Sequence, residues 1–437
     1  MRRRDLFSGA SALALATGLP APVRASVSGS RKLIVVWVNG GWDTTYCMDP
    51  KLGLPLVDGP EDEILPEGTP AAPDEVRVFG EDLRILCNDV SRPAVSAFFT
   101  EWASKVAVIN GVQVGSIGHD PARYRMLTGT SDARNPDLSV IVGHVLGNAL
   151  PLGSLDFSGY SLTGAYASSN GRIGAHGQLE GLLDPAACLQ PPVGSTLPQY
   201  PLYVPTTDDA EEANAVLLAR MDRFLGSRGL GTESRRRIEQ YFESQDRVER
   251  FRAQASDILG SLQTGSAPGF NDSVSLAIDL FARDVCQTAL VDTGLAWDTH
   301  TNNSAQNGHF NALFGGIGTL LDRIYNPGPN DVPLETGITI AVLSDFTRTP
   351  RFNLDGGKDH WPVGSVLLIG DGIAGGRTYG GTDDTLGELP ADLETGEVTD
   401  SGEYIGFANV AAGVLELCGV DPAEWLPGTA PFRAPIL

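Results

Sequence analysis

KLIVVWVNGGWD, residues 32–43, decides the fold class. Lys32 to Val38 is a continuous apolar run rich in Val and Ile, with no alternation of polar and apolar positions. Such a run suits a strand buried on both faces, as in a parallel sheet. It ends in Asn39-Gly40-Gly41-Trp42-Asp43, a turn carrying a carboxylate. Similar short runs occur at Val106–Asn110, Gly337–Leu343 and Val366–Ile369. Between them lie segments of helical period. Phe310, Leu313, Phe314, Ile317, Leu320, Leu321 and Ile324 make the clearest stripe, and Asn326-Pro-Gly-Pro closes it. Leu138, Ile141, Val142, Val145 and Leu146 make another, and Val410, Val414, Leu415 and Cys418 a late one. Strands alternating with helices predict an α/β domain with a mostly parallel central sheet and helices on both faces.

Other segments read differently. Residues 50–80 are rich in Pro, Gly, Asp and Glu and read as a surface excursion. Residues 150–265 read as an insertion or cap on a single domain spanning 26–437. Their first part is rich in Gly, Ser and Pro. A helix then starts near Asp208 and stops at Gly226, and a long charged helix follows. A third helix is expected over roughly 273–290. Gly370-x-Gly372-x-x-Gly375 fits a dinucleotide fingerprint, but Gly376-Arg377-Thr378-Tyr379-Gly380-Gly381 follows where a helix should open, so it reads as a loop.

The chain begins Met1-Arg2-Arg3-Arg4-Asp5-Leu6-Phe7, followed by a mild apolar run from Ala10 to Leu19 and the small-x-small site Val23-Arg24-Ala25. This predicts a removable signal over residues 1–25. The paired arginines predict the twin-arginine route and a periplasmic or secreted product. Residues 1–25 hold four arginines and one aspartate, so their loss takes the net charge from −23 to −26. So acidic a surface makes nucleic acid a poor partner, and an anionic substrate would need a local cation. No stretch reaches the roughly 18 apolar residues of a membrane span. The five cysteines, Cys47, Cys87, Cys188, Cys286 and Cys418, show neither C-x-x-C nor C-x-x-C-H spacing. Export would permit a disulfide, but scattered buried thiols fit equally.

Open α/β sheets place sites beyond the carboxyl ends of their strands. Asp43 and Asp345 each follow a Val/Ile-rich strand directly, and Ser116 and His119 lie shortly past a third. Two acid–histidine segments flank Asp345: Asp298-Thr299-His300 and Lys358-Asp359-His360. Oxygen-rich clusters with some imidazole suit a divalent cation such as Zn, Mn, Mg or Ca. Each residue also has a plainer reading. Asp43 could be a turn former, Asp298 a helix cap with His300 on the surface, and Asp359 a turn residue with His360 packed on Trp361. Ser116 could equally be a turn residue, since no Gly-x-Ser-x-Gly elbow surrounds it.

The wording and order of five segments resemble the bacterial family called domain of unknown function 1501, itself similar to the alkaline phosphatase, sulfatase and phosphoglycerate mutase group. The segments are residues 32–43, INGVQVGSIGHDPARYRMLTG (109–129), GLAWDTH (294–300), AVLSDFTRTPRFN (341–353) and GGKDHWPVGSVLLIGDGIAGGRTYG (356–380). The resemblance implies an alkaline phosphatase-like fold and an exported metal-dependent hydrolase of phosphate or sulfate esters. It implies metal ligands at Asp43, Asp298, His300, Asp345 and His360, with Asp359 alongside. It also implies a Ser116 nucleophile near His119, and Arg348 or Lys358 holding the substrate's anionic oxygens. Two departures matter. Asp298 and His300 are separated by one residue, not three, and Phe346 stands where a histidine often follows the carboxylate. A one-metal site fits these better than two. The sulfatase Cys-x-Pro-x-Arg signature is absent, and Cys47 lies in no such context. A catalytically degraded fold serving as an exported binding or assembly protein is the rival reading.

Overall fold

The computed structural model describes residues 31–63, 73–132, 134–173, 207–226, 231–259, 269–329, 331–334 and 337–437. The expected signal segment and Cys188 lie outside the described residues. Twelve strands are found among the described residues. They are β1 (Lys32–Val38), β2 (Glu75–Phe79), β3 (Leu83–Cys87), β4 (Val106–Gln113), β5 (Ser154–Asp156), β6 (Asn170–Arg172), β7 (Thr288–Asp292), β8 (Ile338–Ser344), β9 (Thr347–Arg348), β10 (His360–Trp361), β11 (Val363–Gly370) and β12 (Arg377–Gly380). Eight form one sheet in the order β12-β4-β11-β8-β1-β7-β5-β6. Every neighbouring pair is parallel except those made by β11, which runs antiparallel to both β4 and β8. The sheet is therefore mostly parallel, with one reversed strand near its middle.

The unbroken apolar run of β1 has a direct cause. Ile34, Val36 and Val38 enter one core while Leu33, Val35 and Trp37 enter the other. Both faces are covered, so neither needs polar residues. The helices are α1 (Pro93–Trp102), α2 (His119–Thr128), α3 (Leu138–Leu146), α4 (Thr207–Leu225), α5 (Thr232–Leu259), α6 (Phe270–Ala282), α7 (Ala305–Tyr325) and α8 (Phe407–Leu417). α1, α6 and α7 fill the first core, where Phe98, Phe99, Phe310 and Phe314 stack. α2, α3 and α8 fill the second. α5 contributes Phe251 and Ala255 to the first core. No helix among the described residues is long and apolar enough to cross a membrane.

Some boundaries differ from the sequence reading. The helix expected over 273–290 stops at Ala282. Asp284 takes a left-handed backbone (φ 52), which a helix cannot continue through, and β7 follows. The apolar Thr288–Asp292 stretch is too short for its periodicity to separate strand from helix. The excursion at 50–80 contains β2, which pairs with β3 in a hairpin. From the stretch read as an insertion, β5 and β6 extend the edge of the main sheet beside β7. The stretch from Asp371 to Gly376 is indeed a loop, leading to β12 rather than to a helix. Cys47, Cys87, Cys286 and Cys418 are buried free thiols.

Asp137 caps α3. Its carboxylate accepts from Val140 N (2.9 Å), Leu162 N (2.7 Å) and Ser161 Oγ (2.8 Å). Burial nevertheless pushes it up to about 6. A folded-state value above the ordinary carboxylate range makes its contribution full below about pH 4 and lost as pH rises through about 6. Wild type should therefore lose on the order of 2 kcal/mol relative to Asp137→Asn between pH 4 and pH 7.5. Denaturant melts of both proteins across that range measure it, and parallel curves would refute the assignment.

Candidate functional site

Four parallel strands deliver residues to one edge of the sheet. β1 ends at Asn39-Gly40, β8 at Asp345, β7 leads into the 293–300 segment, and β4 leads through Ser116 to His119, the first residue of α2. β11 runs the other way, so it reaches the same edge by its entrance. Its predecessor β10 pairs His360 with Arg348 of β9, which fixes the imidazole beside the strand ends. Two glycines make room for the Trp297–His300 segment. Gly40 has φ +119, and a Cβ there would lie 2.7 Å from Asp298 N. A Cβ on Gly357 would lie 2.0 Å from the His300 carbonyl carbon. No side chain fits at either position without moving that backbone.

Three imidazoles meet here, and in each the hydrogen-bond partner sets the tautomer. His119 Nδ1 donates to Asp345 Oδ2 (2.5 Å), His300 Nδ1 to Asp359 Oδ1 (2.9 Å), and His360 Nδ1 to the Ile117 carbonyl (2.7 Å). Carboxylate and carbonyl oxygens only accept, so the ring protons sit on Nδ1 and each neutral ring presents an Nε2 lone pair. Those lone pairs converge on Asp298. His119 Nε2 lies 3.4 Å from Oδ2, while His300 and His360 Nε2 lie 3.1 and 3.3 Å from Oδ1. His300 and His360 Nε2 are 2.9 Å apart. Acceptors facing acceptors at this range require added protons or a cation between them. Neighbouring ligands of a tetrahedral ion held at about 2.0–2.1 Å are about 3.3–3.4 Å apart, so the donors fit. Donor atoms of His119, Asp298 and His360 lie within 4.8 Å of one another, and His300 stands at their edge.

The electrostatics follow from the same contacts. The hydrogen bond that His119 donates to Asp345 holds it above the usual imidazole range. Burial holds His360 below it. Burial pushes Asp298 up, but Arg348 and His300 outweigh this and keep it below the usual carboxylate range. The hydrogen bond from His300 holds exposed Asp359 low. Phe346 lies against both His119 and His360, with ring centroids 4.7 and 4.1 Å away. The residue that the sequence marked as a departure is therefore an apolar wall of the site.

The expected residues fall into three groups. Asp298, His300, His360 and His119 present donor atoms inward. Asp345 and Asp359 stand one step back, each holding an imidazole; Asp345 Oδ1 also accepts from Gly40 N (3.1 Å) and Ser344 Oγ (3.2 Å). Asp43, Arg348 and Lys358 form a fully buried framework. Asp43 Oδ2 meets Lys358 Nζ (2.8 Å) and Asn303 Nδ2 (2.8 Å), and its Oδ1 accepts from Thr45 N and Oγ1. Lys358 Nζ also donates to the Asp58 carbonyl (2.6 Å). Arg348 donates to the carbonyls of Gly40, Gly41, Trp297 and Lys358 and to Asp298 Oδ1. Both cations expected at the substrate are thus engaged inside the protein. Ser116, half-buried, accepts from Gly118 N (3.2 Å), one residue before the carbonyl that holds His360.

Two residues holding Asp43 escaped the sequence reading, Asn303 and Gln306. Gln306 Oε1 accepts from Asp43 N (3.0 Å). Gln306 carried a signal, a polar residue four before Phe310 on the apolar face of α7; Asn303 lies in the turn before the helix.

A family model described as a protein of unknown function, DUF1501, matches residues 30–423. No curated protein matches the chain. Solved structures similar to it include a protein of the alkaline phosphatase superfamily from Vibrio parahaemolyticus, at 11% identity and a TM-score of 0.39, covering 100% of this chain and 80% of that one. The phosphonate monoester hydrolase of Agrobacterium radiobacter is 14% identical with a TM-score of 0.29, covering 92% and 78%. That of Silicibacter pomeroyi is 11% identical with a TM-score of 0.32, also covering 92% and 78%.

Proposed function

The chain belongs to DUF1501, a family of proteins of unknown function, and we propose for it the activity its site supports best: metal-dependent hydrolysis of small phosphate or sulfate esters outside the cytoplasm. One observation carries this reading, the convergence of three Nε2 atoms on Asp298 with every Nδ1 turned outward to an oxygen. Outer partners that fix imidazole orientation in this way are the usual companions of metal-ligating histidines.

His119, His360 and Asp298 would hold a divalent cation, with His300 beside them. Such an ion, when bound, polarises an ester oxygen and lowers the pKa of a nearby hydroxyl or water. The chain's own residues do the rest. Asp345, Asp359 and the Ile117 carbonyl keep the imidazoles in one tautomer and one orientation. Arg348 offsets the charge of Asp298 from below. Phe346 excludes water from one side of the rings. Ser116 lies three residues before His119 on the loop whose Ile117 carbonyl holds His360, and in this reading its hydroxyl attacks the ester.

Protein stripped of metal and reloaded with Zn, Mn, Mg or Ca should cleave aryl phosphate or aryl sulfate only when loaded. Loss of activity in Ser116→Ala assigns the attack to its hydroxyl, and retention assigns it to water. Equal activity with and without metal would refute the proposal. A non-catalytic binding or assembly role is the second reading, favoured by the closed Asp43–Lys358 pair. It predicts metal uptake, if any, without turnover.

A further inference from the structure

With Arg348 and Lys358 engaged inside the protein, a side-chain cation that joins the metal in holding an anionic substrate must come from elsewhere. Arg123 is one helical turn beyond His119 on α2. Residues four apart share a helix face, about 6 Å apart along the axis. A closed path of contacts brings Arg123 back to the same site. Its guanidinium lies over the Tyr160 ring, 5.1 Å from the centroid. Tyr160 Oη accepts from Asn39 Nδ2 (3.1 Å). Asn39 precedes Gly40, whose N–H donates to Asp345 Oδ1, and Asp345 Oδ2 holds His119.

Arg123 is not consumed by these neighbours. NH2 pairs with Asp120 (2.8 Å), but the Asp120 side chain is 75% exposed, and exposed pairs contribute little. Nε is buried without a hydrogen-bond partner. A buried charged donor left unpaired is costly, and a planar guanidinium suits the oxygens of a tetrahedral oxyanion. Tyr160 and Asn39 add polar groups at the same rim.

We propose that Arg123, steadied by Tyr160 and Asn39, is the oxyanion-binding residue of this site and receives the phosphate or sulfate group of the substrate. Assignment to a substrate rests on the hydrolase reading above; the anion site itself does not.

The test is calorimetric titration of inorganic phosphate into the full mature chain, metal-free and zinc-loaded, for wild type, Arg123→Met and Arg123→Lys. Zinc affinity is measured separately for each. Arg123→Met should weaken phosphate binding by roughly tenfold or more, and Arg123→Lys should fall between it and wild type. Zinc affinity should be unchanged in both. Arg123→Lys keeps the charge and serves as the folded control should Arg123→Met fold poorly. Phosphate affinity unchanged in both variants, or no phosphate binding by wild type in either form, overturns the inference. A wild type that takes up no zinc overturns the hydrolase reading instead, and the metal-free titration still decides the role of Arg123.

Discussion

Lys358→Met should destabilise the protein by about 3–5 kcal/mol, because it leaves the Asp43 carboxylate buried without its cation. Both side chains are fully buried. Asn303 and Thr45 satisfy part of the carboxylate's hydrogen-bonding capacity but bring no charge. Adding Asp43→Asn to Lys358→Met removes the orphaned charge and should recover a good part of the loss. The coupling energy from such a cycle isolates the pair. Denaturant melts of the two single variants and the double variant measure it. A loss under about 1 kcal/mol for Lys358→Met, against the 3–5 expected for a broken buried pair, would show that the pair does not hold the turn after β1.

The second large effect concerns metal affinity and separates the inner residues from those behind them. Asp345→Asn should weaken zinc binding by about 10–100-fold, the usual cost of losing a group that orients a ligand. His119→Ala and His360→Ala remove donor atoms outright and should lose more than that. Asp43→Asn should leave zinc affinity near wild type while changing stability. Zinc titrations with a competing chelator rank the four. Should Asp43→Asn prove the most damaging to zinc affinity, or His119→Ala prove neutral, the cluster around Asp298 is not the metal centre. The ranking also divides the sequence view of the site from the structural one. Strand-end positions and the family resemblance place Asp43 and Asp345 alike as ligands, and the resemblance implies a nucleophile beside His119. In the fold, His119 faces Asp298 and Asp345 stands behind it.

The α/β class was legible from the sequence because its physical signal is local. A strand covered on both faces must be apolar throughout, and Lys32–Val38, Val106–Asn110 and Gly337–Leu343 each say so within a few residues. The α7 stripe is legible for the same reason, since period 3.6 needs no knowledge of what it packs against. Strand-end acids and acid–histidine pairs were visible too, because the edge where a parallel sheet gathers its loops follows from the class itself.

What the sequence could not decide is which partner each polar group finds across the chain. Lys358 and Asp43 are more than three hundred residues apart, and nothing local to either says that they neutralise each other. Nor does the Val363–Gly370 run reveal its direction, since its side chains alternate in the same way either way round. Only the antiparallel seating of β11 brings His360 to the ligand edge by its entrance. The direction of an imidazole proton is set by one acceptor atom at about 3 Å, and that acceptor is a tertiary neighbour. Local periodicity therefore determined the class and the edge, and the packed structure alone determined which residues at that edge point inward.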